Sequence, residues 1–165
     1  MTMKFYLLCG LPFSGKTTFA KLLSSETKAK IIRLDEIVSN AGHDLSKQLP
    51  VEVWEDAHQK ALGLIETYSK QGVHLILDDT NFLKKLRDRF RDAALKAGYQ
   101  VQLIYVQTQL DELEKRRMEV GTERNTLNDE AFYPIVDGFE KPESGENPVV
   151  INGTEDFEKQ VSLLI

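Results

Sequence analysis

Eight residues near the N-terminus, Gly10-Leu11-Pro12-Phe13-Ser14-Gly15-Lys16-Thr17, fit G-x-x-x-x-G-K-[ST] at every fixed position. Each fixed position has a physical reason. Glycines let the backbone turn tightly and aim its N–H groups at a phosphate. A helix opening near Lys16 adds the positive end of its dipole. Lys16 reaches the β- and γ-phosphates, and the Thr17 hydroxyl reaches Mg²⁺. Pro12, Phe13, Ser14 and Thr18 complete the expected nucleotide contact. At ordinary residue frequencies such a match arises by chance in under about 1% of chains this long.

Acidic residues recur where such a loop needs them. Leu75-Ile76-Leu77-Asp78-Asp79-Thr80-Asn81 ends an apolar run on two carboxylates. At the C-terminal edge of a parallel sheet, an Asp can hold Mg²⁺ through its waters, opposite Thr17. Successive side chains point oppositely, so one of Asp78 and Asp79 faces the nucleotide. The other reading makes both acids caps for a helix beginning near Leu83, and for Thr80 and Asn81 capping is the expected role. Arg33-Leu34-Asp35-Glu36 follows the second apolar run. Asp35 is read either as the base that takes the proton of an attacking hydroxyl or as the N-cap of a short helix of Glu36, Ile37 and Val38. Lys115-Arg116-Arg117 end a helical stretch, and Arg124 lies in the polar stretch beyond it. They are either helix-end charges favoured by the dipole or arginines of a lid over residues 115–128 that stabilise a moving phosphoryl group. The three histidines show no metal-ligand spacing, and Cys9 reads as a small buried residue.

The elements that must position these groups alternate. Strands are expected at Phe5–Cys9, Ile31–Leu34, Val73–Leu77, Val101–Val106 and Val149–Ile151. Helices are expected at Thr17–Ser25, Val53–Gln71, Leu83–Ala97, Thr108–Val120, Asp129–Gly138 and Thr154–Leu164. The strands are continuous apolar runs, which implies a parallel α/β sheet covered on both faces. The Lys84–Arg89 run reads as a solvated helix face, and His74 as a satisfied core residue.

With 165 residues, 41% hydrophobic and 28% charged, the chain is expected to form one folded domain over residues 1–165. A single cysteine and no apolar run of membrane length suit a cytoplasmic protein without a membrane partner. A net charge of −5 does not favour nucleic acid.

The ordered combination of Gly10–Thr17, Arg33-x-Asp35, Asp78-Asp79-Thr80-Asn81, Arg116 and Phe139-Glu140-Lys141-Pro142 resembles the small P-loop kinase family that contains polynucleotide 5′-hydroxyl kinase domains. Gluconate kinase, chloramphenicol phosphotransferase and zeta toxins are more distant members. The resemblance implies a three-layer P-loop NTPase fold with a five-stranded parallel sheet of order 2-3-1-4-5 and a short helical lid. It implies ATP and Mg²⁺ as cofactors and an ATP-dependent kinase acting on a hydroxyl of a small-molecule or nucleotide-like acceptor. Lys16 and Thr17 then match the nucleotide and Mg²⁺ residues, Asp35 the general base, Asp78 or Asp79 the metal-side acid, and Arg116 a lid arginine. Two positions depart from the pattern. Val38 stands where polynucleotide kinases often carry an acceptor-phosphate arginine, and Val120 stands at the second lid arginine, for which Arg124 is the substitute. The rival readings are a polynucleotide 5′-hydroxyl kinase and a non-catalytic ATP-binding switch. No N-K-x-D motif marks a GTP switch.

Overall fold

The computed structural model describes residues 1–120 and 127–165. Its elements are β1 (Lys4–Cys9), α1 (Lys16–Thr27), β2 (Lys30–Arg33), α2 (Leu34–Asn40), α3 (Val51–Lys70), β3 (Leu75–Asp78), α4 (Lys84–Lys96), β4 (Gln100–Gln107), α5 (Leu110–Val120), α6 (Asp129–Gly138), a 3₁₀ turn at Ser144–Glu146, β5 (Val149–Asn152) and α7 (Phe157–Ser162). The five strands form one sheet in the order β2-β3-β1-β4-β5. Every pairing is parallel. No helix among the described residues is long and apolar enough to cross a membrane.

Strand alternation sorts the core into two layers. Phe5, Leu7 and Cys9 of β1, with Leu75 and Leu77 of β3, face Ala57, Ala61 and Ile65 of α3 and Phe90 and Ala94 of α4. Tyr6 and Leu8, with Ile76 and Ile104, face Phe19, Ala20 and Leu23 of α1 and Val161 of α7. Because all strands run the same way, Cys9, Arg33, Asp78, Gln107 and Asn152 end at one edge of the sheet. That edge carries the loops in which ligands of open α/β sheets bind.

Three local expectations are corrected. Asp35 is no N-cap: α2 begins two residues earlier than expected, at Leu34 with Arg33 at the cap position, so Asp35 lies in the first helical turn. Neither the two aspartates nor Thr80 or Asn81 caps α4, whose N-cap is Leu83 with no capping side chain. Glu140, 56 residues away, supplies that carboxylate instead, accepting from the Lys84 amide at 2.7 Å. Third, the charge run at the start of α4 is not wholly solvated, because Arg87 is buried at 0% exposure. His74 is half-buried beside β3, and its Nδ1 accepts from the Lys4 amide at 2.9 Å. Cys9 is fully buried, and burial pushes its thiol up to about 12.

Candidate active site

The loop between β1 and α1 is held in an anion-cradling shape. Gly15 is the cap residue of α1 at φ 104°, a left-handed conformation that glycine adopts without strain. The first-turn amides of α1 have no carbonyl one turn earlier in the helix, so they point at the loop's hollow. Ser14 is 1% exposed, and its Oγ has no hydrogen-bond partner. A buried unpaired hydroxyl is costly, and a phosphate in the loop would satisfy it. Lys16 is buried, with Nζ donating to the Leu11 carbonyl at 2.9 Å, so the ammonium lies folded against the loop.

The acids meet this loop from β3 and α2. Thr17 Oγ1 donates to Asp78 Oδ2 at 2.8 Å. The parallel register sets Arg33 directly beside Asp78, with Nε 3.7 Å from Oδ2. Asp79, just past the strand, accepts from the Asn81 amide at 3.2 Å. Of the two aspartates, Asp78 is therefore the one against Thr17. Burial pushes the Asp79 carboxyl upward, against the Asn81 amide hydrogen bond and the nearby Lys16 charge.

Thr17, Arg33, Asp35 and Asp78 line one cavity of about 310 Å³ with Glu36, Ser39, Asn40 and Leu45. Desolvation by the surrounding protein, and after it the charges of Asp79 and Asp78, push the Asp35 carboxyl up to about 6 against the pull of Lys16. The residue is still exposed, so water in the cavity screens part of that effect. Thr17 and Asp78 offer two hard oxygen ligands side by side. Mg²⁺ keeps several waters and takes its other ligands from phosphates, so this pair fits it.

A second contact to the loop comes from α5. Arg116 of α5 donates through Nη1 to the Phe13 carbonyl at 3.0 Å and through Nη2 to the Gly153 carbonyl at 2.9 Å. Its Nε meets Glu112 at 2.9 Å. The expected arginine is thus at the phosphate loop, braced on three acceptors. Arg124, and with it residues 121–126 of the expected lid, lies outside the described residues. Arg117 instead pairs with Asp129 at 2.7 Å and sits 4.7 Å over the Phe132 ring.

Gly153 was not singled out from sequence, and Thr108 only as the start of a helix, because what makes them matter here is tertiary. Thr108 Oγ1 donates to the Ser14 carbonyl at 3.0 Å. A Cβ on Gly153 would lie 1.8 Å from Thr108 Oγ1 and 2.6 Å from the Ser14 carbonyl. Gly153→Ala is therefore expected to cost about 1–3 kcal/mol in thermal or urea unfolding and to weaken nucleotide binding through the displaced Ser14. Wild-type values for both would mean that the β5–α7 turn does not brace the loop.

Comparison with known proteins supports the fold. A family model described as an AAA domain matches residues 5–142. The chain is 27% identical over 141 residues to an L-seryl-tRNA(Sec) kinase of Methanococcus maripaludis, covering 82% of this chain and 52% of that protein. It therefore spans about half the length of that curated relative. A sugar kinase from Janibacter sp. superposes with a TM-score of 0.76 at 17% identity, covering 98% of this chain and 92% of that one. The Mycobacterium tuberculosis APS kinase, solved with AMPPNP and APS, gives 0.74 at 14% identity over 99% and 95%. At such identities the two structures establish the shared fold.

Proposed function

The chain belongs to this AAA-domain family of P-loop kinases, and we propose that it transfers the γ-phosphoryl group of ATP to a hydroxyl of a small molecule. The observation that carries this reading is the single cavity in which Thr17 and Asp78, hydrogen-bonded at 2.8 Å, face Asp35. One side of the cavity opens on the phosphate loop, and the other offers a carboxylate for an acceptor hydroxyl.

In this reading the loop amides and Ser14 Oγ bind the phosphates, and Lys16 swings from the Leu11 carbonyl to the β- and γ-oxygens. Thr17 and Asp78 hold Mg²⁺, which neutralises charge on the phosphates when bound. Asp35 Oδ accepts the acceptor's hydroxyl proton as the oxygen attacks phosphorus and the γ-phosphoryl leaves ADP. Arg116 stands at the Phe13 carbonyl, within the loop's own contact shell, where its charge stabilises the phosphates. With its carboxyl near 6, Asp35 is a stronger base than an ordinary aspartate yet ionised at neutral pH. Activity is expected to rise with pH through about 6 with unit slope, then level off. A flat profile from pH 5 to 8 would remove Asp35 from proton transfer.

The cavity's charges narrow the acceptor. Asp35, Glu36 and Asp78 line it, and its one cation, Arg33, lies against Asp78. Among the residues that line this cavity, an anionic acceptor would find no cation without a carboxylate beside it. A neutral polyol or an amine-bearing alcohol is therefore favoured over a sugar phosphate. A hydroxyl carried on RNA is a second reading, supported by the seryl-tRNA(Sec) kinase relative. The test is ATP turnover against pools of neutral, cationic and anionic hydroxyl compounds, 5′-hydroxyl oligonucleotides and seryl-tRNA. Turnover with the neutral or cationic pool supports the proposal. Exclusive turnover with RNA selects the second reading. ATP binding without turnover in any pool would leave a nucleotide-binding switch.

A further inference from the structure

We infer that Arg87 and Glu146 are positioning residues for the metal and phosphate side of this site, acting through the Asp79–Asn81 turn. The inference rests on the nucleotide site proposed above.

Arg87 is the largest fully buried side chain among the described residues, at 0% exposure, and Glu146 is at 3%. Their contact is a two-pronged fork, Nε to Oε1 at 2.8 Å and Nη2 to Oε2 at 3.0 Å. It joins α4 to the 3₁₀ turn across 59 residues. A buried ion pair is weak grounds for stability, because desolving both charges offsets most of the attraction. Its specific effect is directional, and here the direction is the active edge. The remaining guanidinium arm, Nη1, donates to the Asn81 carbonyl at 2.9 Å.

Asn81 is the hinge of that edge. It is fully buried at φ 47°, a left-handed conformation that asparagine tolerates better than most residues. Its Nδ2 donates to the Leu8 carbonyl on β1 at 2.7 Å. The residue before it, Thr80, accepts from the Gly10 amide at 3.0 Å. The end of β3 is thus stitched twice to the strand that leads into the phosphate loop. Arg87 pins the carbonyl of the residue that makes one of those stitches, three residues beyond Asp78. Moving Asn81 would shift the Asp78 carboxylate relative to Thr17.

The test compares Glu146→Gln, Arg87→Lys and the apolar double variant Arg87→Met with Glu146→Leu. The measurements are thermal midpoint and affinity for AMPPNP, each with Mg²⁺ and with a chelator. The double variant is expected to fold but to melt below wild type: apolar replacement of a buried pair is often neutral, yet here it also takes the guanidinium donor from the buried Asn81 carbonyl. Its Mg²⁺-dependent gain in AMPPNP affinity should fall about tenfold, the scale on which residues behind metal ligands act. Arg87→Lys should lose nearly as much, because a point charge cannot hold Glu146 and Asn81 at once. Glu146→Gln, which keeps an acceptor for Arg87, should fold and show a smaller loss in the same direction. In an Asp78→Asn background the Glu146→Gln loss should vanish, since both act on one carboxylate. An unchanged Mg²⁺ gain in the folded variants, or full additivity with Asp78→Asn, would make the pair purely structural and overturn the inference. Wild-type protein that shows no Mg²⁺-dependent AMPPNP binding would instead overturn the nucleotide site, and this inference with it.

Discussion

Lys16→Ala is expected to lower phosphoryl transfer by at least about 10²–10³-fold, the loss of roughly 3–4 kcal/mol that follows removal of one preorganised charge from a transition state. The fold should survive, because Lys16 belongs to neither core layer and its one hydrogen bond goes to the Leu11 carbonyl. That bond makes Ala alone ambiguous. The side chain is buried, so truncation also leaves a gap and frees a carbonyl beside the phosphates. Lys16→Met fills the gap without the charge and should lose as much activity as Ala, whereas Lys16→Arg keeps the charge on a bulkier group and should recover only part. The loss should fall mainly on kcat, because the ammonium's contact strengthens as charge moves onto the β–γ bridging oxygen. If Met retained wild-type kcat while Ala did not, the lysine would be a packing residue and the phosphate loop would not be the reactive centre.

The parts of the site legible in the sequence are those whose constraints are local. The phosphate loop is one turn between one strand and one helix, so eight consecutive residues suffice to read it. The sheet was legible because its strands are buried on both faces: Phe5 to Cys9 are all apolar since odd and even positions face different helices. The strand order came from resemblance, as nothing in an isolated strand names its neighbours. Where local sequence offered two readings, the deciding partner was distant. Asp78 and Asp79 became distinguishable through Thr17 and through the turn to Asn81. Arg87 reads as one charge in a run until Glu146 folds over it. The helix that Thr80 and Asn81 were expected to cap is capped from Glu140, which leaves Asn81 to join β3 to β1. Long-range polar contacts of this kind leave no periodic trace, because each needs only one residue at each end.

Asp35→Asn is expected to cut kcat by about 10²-fold or more, the usual contribution of a positioned base, with little change in affinity for Mg²⁺·ATP. Asp35 lines the cavity on the α2 side, whereas Asp78 is hydrogen-bonded to Thr17 of the phosphate loop. Asn preserves size and polarity, so the loss would be of proton acceptance. A further consequence separates the base from a helix-end acid. A carboxyl raised from 3.8 to about 6 binds its proton more tightly in the folded than in the unfolded chain. Stability therefore falls as pH rises between those values, and above about 6 the folded protein carries the full cost of the ionised group. Asn removes that cost, so the variant should melt at the same temperature as wild type or slightly higher at pH 8, with a smaller difference at pH 4. An acid that merely complemented the α2 dipole would show the opposite sign, since losing it would destabilise the helix. Three measurements thus bear on one residue: turnover, nucleotide affinity and the pH dependence of melting. Equal losses in turnover and nucleotide affinity would move Asp35 to the metal. An unchanged rate with a lowered melting point at pH 8 would return it to the helix, and the base would have to be sought among the other groups lining the cavity.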